Sequence, residues 1–224
     1  MANRTFPDMP ADPSGQEDGT PAAAPGVLVH TRAERYLATQ HWLLSTLPDY
    51  GRDRARMEWQ EHGITLLPLG TLFAAIRLPG PLVQAVSAST TPADVDAMLG
   101  EALQGGPVIC DRHRQRYYAL VPASVPRTWQ QAIEDWRAAG VAVFGRGTHL
   151  GVPWPNANQK RSDLESYWSV PMDSPAMLCA PLRVARLIAD GHRQLLAQTA
   201  DQDAADHAAA CLAPVTGLRH DARQ

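Results

Sequence analysis

The stretch GITLLPLGTLFAAIRLPG, residues 63–80, constrains the fold more than any other part of the chain. Two apolar runs flank a short glycine turn, and runs of this length bounded by glycine and proline read as strands. The second run delivers a single charge at its tip, Arg77, immediately before Leu78 and Pro79. An apolar strand that ends on one polar residue raises the question of what that residue meets.

Around this stretch the chain alternates between helical and strand patterns. Residues 30–62 are helical in composition, with Tyr36, Leu37, Trp42, Leu43 and Leu44 as an apolar face and Pro48 as a break. Further on, Thr91 suits an N-cap, Pro92 the first helical position, and Gly105–Gly106 a helix end. Asp94 and Asp96 look like a metal-binding D-x-D, but residues two apart on a helix point in different directions. Both suit the dipole of the first turn, which is the preferred reading.

GPVICDRHRQRYYALVPA reads as a hairpin: strand Val108 to Cys110, charged tip Asp111 to Arg116, strand Tyr117 to Val121. VPRTWQQAIEDWRAAGV reads as one short amphipathic helix, and VAVFGRGTHLGVPWPN as a strand, a glycine turn and a strand. ESYWSVPMD follows a polar loop, and a long Ala- and Leu-rich helix runs from about Pro181 to Leu212. This order predicts an α+β fold, a mixed or antiparallel sheet of paired strands flanked by helices. Residues 1–26 hold little that could be buried and predict a disordered leader. That leaves 27–180 as the folded domain and 181–224 as a C-terminal helix and tail.

The 224 residues are enough for one sizeable core, and 45% hydrophobic with 19% charged residues reads as globular. A net charge of −3 gives no general argument for nucleic acid or an anionic membrane. No signal-peptide pattern and no run of roughly 18 apolar residues is present, so no membrane partner is expected and the cytoplasm is the expected location. Cys110, Cys179 and Cys211 are odd in number and widely spaced, which excludes a disulfide framework and the usual zinc patterns. Cys110 stands close to two arginines and a histidine, as an activated thiolate would, but a buried cysteine is the simpler reading.

Lys160 is the only lysine. Arginine in place of lysine suits bidentate phosphate recognition, although the many Ala and Pro residues point more simply to a GC-rich genome. GRGTHLG lies between two strands and lacks the spacing that opens a helix on a dinucleotide, and no phosphate loop, G-x-S-x-G or H-E-x-x-H is present. No cofactor is therefore predicted. His113 and His149 read as surface histidines before acid or base groups, and Trp154 and the YYA and YW pairs as core aromatics before base-stacking platforms.

The order LLPLGTLFAAIRLP, a helix, GGPVICDRHRQRYYALVP, VAVFGRGTHLGVPWP and YW resembles the primase-polymerase domain of the archaeo-eukaryotic primase superfamily. It is most similar to actinobacterial bifunctional DNA primase/polymerase N-terminal domains, from about Trp42 to Trp168. The resemblance implies a strand ending in two metal-binding aspartates, a hairpin histidine that contacts phosphates, and a third carboxylate before a glycine turn. Two metals there would neutralise the charge developing on a triphosphate.

Here the two aspartate positions fall on Arg77 and Pro79, the histidine on Arg116 (with His113 three residues away), and the third carboxylate near Ala142. The resemblance thus implies a catalytically degenerate domain that binds a nucleotide, a nucleic-acid strand or a protein partner. Its candidate phosphate contacts are Arg77, Arg116, His113, Arg112, Arg146 and His149. Two rivals remain: an enzyme that uses Cys110, Asp111 and His113 at the hairpin tip, and an interaction module built on the Ala-rich C-terminal helix.

Overall fold

The computed structural model describes residues 31–155 and 166–212, with side chains as far as 208. The expected leader, residues 1–26, lies outside the described residues. Thr31 opens α1 (Arg32–Leu44) with a reciprocal capping box. Its hydroxyl accepts the Glu34 N–H at 3.2 Å, and the Glu34 carboxylate accepts the Thr31 N–H at 2.6 Å. Pro48 then separates α1 from α2 (Asp49–His62), which ends at Gly63 in the left-handed region, φ 72°. The break at Pro48 is where the sequence places it.

The chain continues as β1 (Ile64–Pro68), β2 (Phe73–Pro79), α3 (Gly80–Ser87), α4 (Pro92–Ala102), β3 (Val108–Asp111) and β4 (Arg116–Pro122). After these come α5 (Val125–Thr128), α6 (Gln130–Arg137), β5 (Ala142–Phe144), β6 (His149–Pro153), β7 (Ser166–Val170) and α7 (Pro181–Leu212). The fold is α+β. Five strands form one antiparallel sheet in the order β5-β2-β4-β3-β7, and β1 with β6 forms a second antiparallel sheet of two.

Among the described residues, only the β3–β4 pair is a hairpin of consecutive strands. The two runs of residues 63–80 are both strands, but they do not pair with each other: β1 joins β6, and β2 joins β4 and β5. Likewise β5 and β6 separate into different sheets on either side of their glycine turn. The crossing point is tight. Gly70, at φ +89°, lies so close to the Arg146 backbone that a Cβ there would sit 2.3 Å from the Arg146 nitrogen. Any side chain at 70 would push the two turns apart. The expected single helix of 125–141 is two short ones, α5 and α6, and ESYWSVPMD supplies the edge strand β7.

The central sheet is covered on both faces. Ala74, Ile76 and Leu78 of β2 face a core shared with α3, α4, α6 and α7, while Phe73 and Ala75 face a core shared with α1, α2 and the small sheet. The Trp59 indole N–H donates to the Val152 carbonyl at 2.8 Å and ties α2 to β6. The first half of α7 belongs to the main core through Val184, Leu187 and Ile188, each burial worth roughly 1.5–3 kcal/mol. Positions 196–208 of the same helix are exposed throughout. No helix among the described residues is long and apolar enough to cross a membrane.

Candidate anion-binding site

The outer end of β2 decides what Arg77 meets. Strand alternation puts Arg77 on the face of Phe73 and Ala75, opposite Leu78. Directly across from it stand Ala142 on β5 and Tyr118 on β4. The row continues from Tyr118 to Ile109 and Trp168, and the next row outward runs Pro79, Arg116, Asp111, Ser166. Arg77 and Arg116 are therefore diagonal neighbours on one face, roughly 7–8 Å apart along the backbone. Both are partly buried.

The surroundings of Arg77 are aromatic, whereas Arg116 stands opposite Asp111. The Arg77 guanidinium lies over the Phe144 ring, 5.6 Å from its centroid, an arrangement that holds a cation without neutralising it. Tyr118 is half-buried on the other side. Asp111 is paired with Arg116 in the ladder, yet its Oδ1 accepts the Arg114 N–H at 3.1 Å. Among the described residues no ion pair joins either arginine to a carboxylate. Two arginines at this spacing on one face supply planar donor forks of the kind that carboxylate or phosphate oxygens accept.

The charged tip of the β3–β4 hairpin is fixed over this end of the sheet. The Gly80 N–H, at the start of α3, donates to the Gln115 carbonyl at 2.8 Å. His113, Arg114 and Gln115 are exposed at the tip. Arg112 goes the other way. Its guanidinium lies 4.7 Å from the centroid of Tyr167, on the helix-covered face. Arg146 and His149 are exposed and lie beyond Phe144 and next to Pro68, at the far end of β2 from Arg77. Of the six expected residues the structure thus brings Arg77 and Arg116 together, with His113 at the adjoining tip.

Cys110, Asp111 and His113 do not converge. Cys110 and Asp111 alternate to opposite faces of β3. Cys110 is buried, and burial pushes its thiol up to about 11, the reverse of an activated nucleophile.

Sequence reasoning did not find the cluster around Cys110. The hydroxyls of Tyr117 and Tyr167 flank the thiol; burial, followed by the neighbouring Cys110, pushes both phenols up. Asp96 accepts the Tyr167 hydroxyl at 3.1 Å and the Ser169 hydroxyl at a shorter distance. Asp94 instead accepts the Ser89 hydroxyl at 2.8 Å, so the D-x-D pair divides as helix geometry requires. Thr91 occupies the N-cap position without a side-chain cap bond. Only the divergence of the two aspartates was legible locally. No family model matches the chain, and the searches of curated proteins and of solved structures also found no match.

Proposed function

We propose that this chain is a catalytically degenerate, primase-polymerase-like domain that binds a phosphorylated ligand, a nucleotide or a nucleic-acid strand, through Arg77 and Arg116. One observation carries the reading. The positions that the resemblance assigns to metal and phosphate ligands adjoin in space: Arg77 stands opposite Ala142, and Pro79 opposite Arg116. Four residues from three separate stretches of sequence thus share one end of the central sheet, which supports the reading. Arginine at the first position repels a divalent cation and receives an anion. The two buried thiols, Cys110 and Cys179, fit a cytoplasmic setting.

The test is titration with a nucleoside triphosphate and with a short single-stranded oligonucleotide. Wild type should bind without magnesium and lose affinity as salt rises. Arg77→Ala should weaken binding by roughly 1.5–3 kcal/mol, the scale of a hydrogen bond to a charged group. Arg77→Asp should weaken it further and confer no polymerase activity, because Pro79 cannot supply a second carboxylate. Absence of binding by wild type, or equal affinity in all three proteins, would overturn the proposal. So would template-dependent nucleotide incorporation that a chelator abolishes. A second reading, docking of a protein partner on α7, is favoured by the exposure of positions 196–208.

A further inference from the structure

The strand β7 sits at the sheet edge in a register that the backbone alone does not dictate. Its pairing steps from Ile109↔Trp168 to Val108↔Val170 and passes over Ser169, which is the extra residue of a β-bulge. A straight ladder held at Val108↔Val170 would move Trp168 to Cys110 and Tyr167 to Asp111. Both rings would then change faces, since a one-residue slip inverts every side chain. Trp168 would leave the core in which its indole N–H donates to the Pro153 carbonyl at 3.0 Å. Tyr167 would arrive beside Asp111, the ladder partner of Arg116.

What distinguishes the two registers chemically is where two hydroxyls end. In the bulged register the Ser169 hydroxyl, on a residue only 8% exposed, and the Tyr167 hydroxyl both donate to Oδ1 of Asp96 on α4. In the straight register Tyr167 loses that acceptor and its ring leaves the cluster with Cys110, Tyr117 and the overlying Arg112. Burying a hydroxyl without a partner is unfavourable, whereas a carboxylate acceptor strengthens the bond it receives.

We infer that Asp96 is the register latch of β7, a positioning residue whose carboxylate selects the bulged pairing and so determines which side chain stands beside Asp111, the ladder partner of Arg116. Its effect on ligand affinity rests on the function proposed above; its effect on the strand does not.

Hydrogen exchange resolved to residues 166–170 reads the latch directly in the full chain. Asp96→Ala should speed exchange there by roughly tenfold or more while β2 and β4 keep their protection. Asp96→Asn should stay close to wild type, because the amide oxygen still accepts both hydroxyls. Ser169→Ala, which removes one donor, should fall between them. Unchanged exchange at 166–170 in Asp96→Ala would overturn the inference. So would an equal rise across β2 and β4, or Asn behaving like Ala. Titration of Asp96→Ala with a nucleoside triphosphate separates the two proposals. Faster exchange with wild-type affinity would refute the coupling to Arg116 and leave the latch standing.

Discussion

Replacing Gly191 with alanine tests the packing of α7 on α3 by the sign of its effect. In an exposed helix interior, glycine to alanine stabilises by about 1 kcal/mol, because alanine has less backbone freedom to lose. Gly191 is buried inside α7, and a Cβ there would sit 2.7 Å from Cδ2, Cγ and the carbonyl oxygen of Leu82. The Leu82 side chain could rotate away, but the carbonyl belongs to α3 and moves only with the helix. Overpacking of this kind costs about 1–3 kcal/mol, so the net change should be a loss of up to about 2 kcal/mol. For a chain of this size each kcal/mol is worth about 2–4 °C, which predicts a fall in Tm of up to about 8 °C.

Gly100 in α4 is the internal control. Nothing lies within 4 Å of a Cβ placed there, so alanine should raise Tm by about 1–4 °C. Thermal unfolding followed by circular dichroism on the two variants decides the matter. A rise in Tm for Gly191→Ala would mean that α7 does not lie against α3 as described.

Trp59→Phe should lower stability by roughly 0.5–1.5 kcal/mol in urea unfolding, because it removes the hydrogen bond from the buried indole N–H to the Val152 carbonyl; an unchanged midpoint would show that the indole bond contributes nothing. Burial holds Cys110 protonated up to about 11 and Cys179 up to about 12, whereas unfolding returns both to an ordinary value of 9.0. The folded state thus keeps protons that the unfolded state has lost, so stability should be level below about pH 9 and decline from there toward pH 11. Denaturant midpoints across that range check the sign. At neutral pH both thiols should resist iodoacetamide until the protein unfolds, and rapid labelling of native Cys110 would contradict its burial.

Much of the secondary structure was legible because it follows from local chemistry. Pro48, the Thr91–Pro92 start of α4 and the apolar runs of β1 to β4 act through neighbours within four residues. The span of α7, Pro181–Leu212, follows in the same way from its run of alanine and leucine. Those signals specify elements without specifying partners. Hence the glycine turns at 70 and 145–147 looked like hairpin turns, although each carries the chain from one sheet to the other.

What the tertiary structure decided is which face each residue shares with residues far away. Arg77, Arg116 and Ala142 come from three strands, and only the antiparallel register makes them neighbours. The same register sends Arg112 to Tyr167 and leaves Arg146 and His149 at the other end of β2. Asp96 meets Tyr167 and Ser169 across 71 and 73 residues of chain, through a bulge that no periodicity announces. Local sequence determines dihedral preference and burial pattern. Register and approach depend on the free energy of the packed whole, where a single extra residue in β7 changes which side chains meet.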